Sequence, residues 1–245
     1  MSFSIISCLK NLIDFILPLR CLSCGKIIRE KDSLCSECFE NISFIVEPYC
    51  QHCGKPLIGH KDDILGLSCM SCLNKKEPYR LCRSAIEYDD YSKGVILNFK
   101  FADHVENVPL LVRWLDFAGK DILNAGIDLI VPVPIHFIRL IKRKYNQSAL
   151  LAVALSKLWS VPAEPGVLKK RKYTRPQSLC DSTKRKTNVK NTFKITNPQK
   201  IKGKRIVLID DVYTTGTTAK ECTKVLLKAG AKSVDILTVA RVCSH

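Results

Sequence analysis

Through the second half of the chain, short apolar runs alternate with longer stretches in which apolar residues recur at helical spacing. Ile206-Val207-Leu208-Ile209 is one such run, mostly β-branched, and predicts a buried strand. It ends at two adjacent carboxylates, Asp210 and Asp211, followed by Val212-Tyr213-Thr214-Thr215-Gly216-Thr217-Thr218. Cys222, Val225, Leu226 and Ala229 then fall at helical spacing; Thr218 with Glu221 reads as a capping box, and Gly230 sits where a C-terminal cap belongs. A last strand is predicted over 233–239. Upstream, Ser84-Ala85-Ile86-Glu87-Tyr88 predicts a strand, Asp89-Asp90 a turn, and Val95, Ile96, Leu97 and Phe99 a helix. A second helix is predicted over 109–123, a strand over 128–134 that proline stops, and an apolar helix over 149–158. Alternating strands and helices predict an α/β fold. Its parallel sheet is flanked by helices, with its ligand at the carboxyl ends of the strands.

Two regions break that rhythm. Ile5, Ile6, Leu9, Leu12, Ile13 and Ile16 repeat at helical spacing, predicting an amphipathic helix over 1–20. It either packs on its own protein or faces a membrane surface or a partner. It has no basic leader and no small-residue cleavage site, so it is not expected to be a signal peptide, and no apolar run reaches the roughly 20 residues that span a bilayer. Residues 166–192 hold Lys169-Lys170-Arg171-Lys172-Tyr173-Thr174-Arg175-Pro176-Gln177 and Lys184-Arg185-Lys186 without an apolar period, which predicts a hairpin or long loop. Such a loop suits a lid that excludes water and sets basic side chains, Arg175 among them, against a leaving diphosphate.

Charge sharpens this division. The net charge is +16, and residues 1–82 hold 10 Lys and Arg against 9 Asp and Glu, leaving 29 against 14 in residues 83–245. A basic second domain suits a polyanion: a pyrophosphate-bearing substrate, a nucleic acid, or both.

The strand-to-helix turn at 210–218 carries the strongest candidate chemistry. Free backbone N–H groups and the positive end of a helix dipole favour an anion there, phosphate above all. Gly216 permits close backbone approach, and the hydroxyls of Thr214, Thr215, Thr217 and Thr218 add donors. Asp210 and Asp211 suit sugar hydroxyls or a hydrated magnesium ion. A phosphate beside a diol describes a ribose 5-phosphate. Neither the Walker A pattern nor the dinucleotide G-x-G-x-x-G is present. After the 128–134 strand, His136, Arg139, Lys142, Arg143 and Lys144 cluster before Asn146-Gln147-Ser148. His136, Arg139 and Arg143 are candidate pyrophosphate contacts, with a solvated basic face as the alternative.

Eight of the 13 cysteines form C-x-x-C pairs, Cys21/Cys24, Cys35/Cys38, Cys50/Cys53 and Cys69/Cys72. Two thiolates separated by two residues reach one tetrahedral ion, and two pairs complete a four-sulfur site. Two structural zinc ions follow, in a double zinc ribbon over 21–82, with Gly25 and Gly54 forming the turns of the knuckles. Without a secretory signal, a disulfide framework is the weaker account. Sequential pairing, 21/24 with 35/38 and 50/53 with 69/72, is preferred, and spacing leaves a crossed arrangement open. A full set of thiolates leaves no vacancy for His52 or His60. A closed site has no catalytic position.

The apolar strand, acid pair and T-T-G-x-T run closely resemble the phosphoribosyl-pyrophosphate (PRPP) loop of type I phosphoribosyltransferases. The ordered set of C-x-x-C pairs over 21–72, Val131-Pro132-Val133-Pro134 with Asn146-Gln147-Ser148, Thr174 to Gln177 with Arg185 and Asn188, and the loop over 208–218 resembles the competence protein F (ComF) family. That resemblance implies a zinc-binding N-terminal module joined to a type I phosphoribosyltransferase-like domain over 83–245. It implies Asp210 and Asp211 facing ribose and magnesium, and Thr214 to Thr218 facing the 5-phosphate. It also implies a cytoplasmic role in natural transformation, handling incoming single-stranded DNA. The partners would then be PRPP, single-stranded DNA and a competence helicase or import machinery, with the N-terminal helix a peripheral contact at the inner membrane. One position departs from the family: Lys144 stands between Arg143 and Tyr145 where the family commonly has glycine.

Overall fold

The computed structural model describes residues 18–57, 68–101, 105–136, 140–141, 144–171 and 192–243. The strands among them are β1 (Cys82–Glu87), β2 (Leu129–Pro132), β3 (Leu168–Lys170), β4 (Phe193–Ile195), β5 (Arg205–Tyr213) and β6 (Ser233–Arg241). The helices are α1 (Ser36–Glu40), α2 (Met70–Asn74), α3 (Ser92–Phe101), α4 (Val108–Ala118), α5 (Lys120–Asn124), α6 (Gln147–Trp159) and α7 (Thr217–Lys228).

The main sheet runs β1-β6-β5-β2, every neighbouring pair parallel. Its inner strands are buried on both faces, which is why they read as continuous apolar runs rather than alternating ones. Val207, Ile209, Leu237 and Val239 turn to one face and pack with Ile96, Phe99, Leu111, Leu115, Leu151 and Leu155 from α3, α4 and α6. Ile206, Leu208, Val234 and Ile236 turn to the other and pack with Cys222 and Leu226 of α7, Phe193 of β4, and Cys50 and Cys53. β5 therefore leads to a helix on one face, while β2 leads to α6 on the other. The opposite departures open a crevice at the carboxyl ends of β2 and β5.

The elements differ from the predicted ones in three places, and the basic segment is described only at its ends. β5 does not stop at the carboxylates but pairs with β6 through Val212 and Tyr213. The capping box over Thr218 and Glu221 does not form, because α7 begins two residues earlier: Gly216 is its N-cap, with no side-chain bond, and Glu221 instead accepts from Lys224 Nζ at 2.6 Å. The helix expected over 109–123 is two helices divided at Gly119, where a Cβ would come within 2.8 Å of both Leu237 and Trp159. The ends of the basic segment form the antiparallel pair β3–β4, while residues 172–191, like the helix expected over 1–20 up to residue 17, lie outside the described residues.

The cysteine-bearing segment is joined to the sheet. Residues 43–45 run along the outer edge of β1, with Ile45 N–H donating to Ala85 O at 2.9 Å and Glu87 N–H to Ser43 O at 2.8 Å. Phe44 packs edge-on against Trp114 of α4, ring centroids 5.4 Å apart. An edge strand is thereby covered.

Candidate functional site

Asp210 and Asp211 lie near the carboxyl end of β5, at the mouth of the crevice. Ser148 Oγ and the Asp211 N–H both donate to Asp210 Oδ1 at 3.0 Å. Lys100 Nζ lies 3.2 Å from Asp211 Oδ2, with less than a fifth of either side chain exposed. Burial and the neighbouring Asp211 charge push the Asp210 carboxyl up to about 7; the bonds from Ser148 and the Asp211 N–H, with the Lys100 charge, act in the opposite direction.

Asn146-Gln147-Ser148 explains how these groups are assembled. Asn146 Nδ2 donates to Val133 O beyond β2 at 3.2 Å, Gln147 Nε2 to Lys100 O at 3.1 Å, and Ser148 to Asp210. Three successive side chains at the start of α6 thus tie β2, α3 and β5 to one point. Tyr145 OH adds a bond to Phe99 O at 3.2 Å. Lys144 holds φ +64°, the left-handed region that glycine enters freely, so the turn survives where the resembling family has glycine.

The threonine loop follows Tyr213. Thr214 and Thr215 are exposed, and Thr215 Oγ1 lies 2.9 Å from Thr217 Oγ1. Gly216 has φ +70°, and a Cβ there would fall 2.1 Å from the Tyr213 hydroxyl. The ring of Tyr213 is therefore the floor of the turn. The first N–H groups of the 12-residue α7 open beside it, a ready anion cradle.

The cysteines gather into two tetrads, Cys21, Cys24, Cys35 and Cys38, and Cys50, Cys53, Cys69 and Cys72, each with its sulfur atoms within 4.8 Å of one another. Pairing is sequential. The surroundings suit thiolate: Cys35 N–H donates to Cys21 Sγ at 3.2 Å, and Cys69 N–H to Cys50 Sγ at 3.3 Å. Hydrogen bonding from Cys53 and then from backbone N–H groups pulls the Cys50 thiol well below its ordinary value. Gly25 and Gly54 take positive φ, as the turn after each knuckle requires. Four sulfurs at this spacing fit a closed tetrahedral zinc site.

His136 follows the end of β2, its carbonyl accepting from Leu140 N–H at 3.0 Å. Arg139, Arg143 and Arg175 lie outside the described residues. The sequence reading missed Lys100 and gave Ser148 no role. A lone charge between Phe99 and Phe101 was the available signal for Lys100.

Residues 12–73 match the double zinc ribbon domain family, and residues 136–244 match the phosphoribosyl transferase domain family. With a parallel sheet and two cysteine tetrads, this is a phosphoribosyltransferase-type fold carrying a double zinc ribbon. Competence protein F of Haemophilus influenzae is 30% identical over 228 residues, covering 91% of this chain and 96% of that protein. DNA utilization protein YhgH of Escherichia coli is 31% identical over 78% of this chain and 83% of its own, and competence protein ComFC of Bacillus subtilis is 25% identical over 88% and 87%. The chain belongs to the competence protein F family.

Proposed function

We propose that the crevice binds PRPP with Mg²⁺ and transfers its 5-phosphoribosyl group to a nitrogen acceptor. The observation that carries this is the acid pair on β5 followed at once by a threonine loop opening onto the N-terminus of α7. Asp210 and Asp211 face the ribose hydroxyls and the metal; Thr214, Thr215, Gly216, Thr217 and Thr218 surround the 5-phosphate. Bound Mg²⁺ would neutralise charge on the departing diphosphate. The protein's own residues position and stabilise. Lys100 holds Asp211 in place, Ser148 orients Asp210, Arg139, Arg143 and Arg175 supply positive charge toward the diphosphate, and His136 is a further contact to it. The two tetrads each hold a structural zinc ion. On this reading residues 21–82 form the ribbon module and 83–245 the transferase-like domain, preceded by the helix over 1–20.

A second reading is favoured by the basic balance of residues 83–245 and by relatives named for competence and DNA utilization. In it, the basic surface handles single-stranded DNA in the cytoplasm, and the ribbons meet a helicase or import machinery, with the N-terminal helix at the inner membrane. A protein that binds PRPP satisfies both. The deciding experiment is isothermal titration of PRPP with Mg²⁺ into the zinc-loaded protein and into D210A/D211A. The expected result is binding by the wild type that the double variant loses. No binding by the wild type would remove the enzymatic reading and leave the second.

A further inference from the structure

Each cysteine tetrad ties the carbonyls of one knuckle to a different part of the α/β domain, the second to β1 and β6 and the first to α3. In the knuckle Cys50-Gln51-His52-Cys53, every carbonyl after the first cysteine is taken by the sheet. Gln51 O accepts from Arg83 Nη2 at 2.9 Å, His52 O from Cys82 N–H at 2.9 Å, and Cys53 O from Arg241 Nη1 at 2.5 Å.

Two routes lead from this knuckle to the floor of the threonine loop. Arg241, 6% exposed, lies with its guanidinium 5.3 Å over the ring of Tyr213. The His52 ring stacks on Tyr79 at 5.1 Å and 15°, and the Tyr79 hydroxyl lies 3.4 Å from that of Tyr213. Tyr213 in turn occupies the space beneath Gly216 that a Cβ would need. Charge supports the link. A divalent ion held by four thiolates carries a net charge of about −2. Arg241 is buried beside those thiolates, and among the described residues no carboxylate pairs with it.

The other knuckle reaches α3. Leu22 O and Ser23 O both accept from Asn98 Nδ2 at 3.2 Å, and α3 approaches so closely that a Cβ on Gly94 would fall 2.8 Å from Ser23 Oγ. Two residues after Asn98, Lys100 meets Asp211.

We infer that the two metal knuckles are separate braces on one substrate site: the second tetrad positions the threonine loop through Arg241, Tyr79 and Tyr213, and the first positions Lys100 through Asn98. Asn98, Tyr79, Tyr213 and Arg241 are thus positioning residues, acting through the groups that meet substrate. The consequence for affinity rests on the PRPP reading above, while the bracing itself does not.

The test is hydrogen exchange of the ligand-free, zinc-loaded full chain, following peptides over 95–101 and 213–218, with zinc content measured alongside. C50S/C53S is expected to speed exchange over 213–218 by about tenfold and to change 95–101 by less than about twofold. C21S/C24S is expected to do the reverse. Should either pair fail to fold, N98A and R241K keep all eight cysteines. R241K loses the planar fork and the stacking face, and should loosen 213–218 with both zinc ions retained. N98A should loosen 95–101 alone. Segments that loosen together in every variant, or that stay unchanged when their carbonyl bond is removed, would overturn the inference. A wild type that fails to bind PRPP would overturn the earlier reading, and exchange would still decide this one.

Discussion

Burial and the Asp211 charge raise the Asp210 carboxyl to about 7, against roughly 3.9 in an unfolded chain. Between those two values the folded protein holds a proton that the unfolded chain has released. Stability contributed by this group is therefore full below the unfolded value and is lost as pH rises toward neutrality. The groups facing Asp210 are Asp211 and Lys100 as charges, Ser148 as a donor, and Cys222 from α7. An uncharged isostere removes the loss. In Mg²⁺-free buffer, urea unfolding should show D210N nearly equal to wild type below about pH 4 and increasingly more stable above it, by on the order of 4 kcal/mol at pH 8. A difference independent of pH would mean that the carboxyl does not titrate in that window. Both aspartates were legible in the sequence because strand, acids and turn are contiguous. Lys100 and the role of Ser148 were not, since each meets its carboxylate across most of a domain of intervening chain.

At the scale of elements, the turn between β5 and α7 depends on one residue that cannot carry a side chain. Gly216 has φ +70° and rests on the Tyr213 hydroxyl, so alanine there meets two penalties at once. Left-handed backbone at a residue with a Cβ costs about 1–3 kcal/mol, and the methyl must also displace Tyr213 or the loop. G216A should lower the thermal midpoint by several degrees and weaken PRPP with Mg²⁺ by at least about tenfold, the loss in affinity following from the displaced N–H groups. An alanine variant that binds and melts as the wild type does would refute the Tyr213 floor. Gly216 was visible as a glycine in a candidate phosphate loop. Its second duty, as the N-cap of α7 above a tyrosine, was not, because it depends on β5 running four residues past Ile209. The expected capping box failed for the same local reason. Once Gly216 begins the helix, Thr218 lies inside the first turn and Glu221 is free to pair with Lys224.

The whole molecule joins a nearly neutral cysteine-rich segment to a domain with a strong excess of lysine and arginine. The parallel sheet and its helices followed from spacing, because both are local patterns repeated along the chain. Sequential pairing of the cysteines was the preferred reading, but spacing left a crossed arrangement open and the two tetrads decide it. The packing of 43–45 onto β1 did not, since an edge is covered by whatever segment lies nearest in space. Charge of this kind makes its own prediction. Lys169 on β3, Arg171 just after it and Lys194 on β4 are exposed at the root of the basic segment, a surface suited to a phosphate backbone rather than to one small ligand. If single-stranded DNA spans about five phosphates there, log Kd against log salt should have a slope of magnitude near 3.5, so that affinity falls roughly a hundredfold between 50 and 200 mM salt. On the proposed reading PRPP in the crevice would meet fewer cations, at fixed positions and partly buried, so its affinity should fall far less over the same range. Fluorescence anisotropy with a labelled oligonucleotide, set beside calorimetry with PRPP in matched buffers, measures both slopes on one preparation. Two steep slopes, with PRPP displacing the oligonucleotide, would place both ligands on one set of side chains. A steep slope for DNA and a shallow one for PRPP would show two sites of different construction on one sheet. That is the outcome expected of a built pocket at the ends of β2 and β5 with a solvated basic surface beside it.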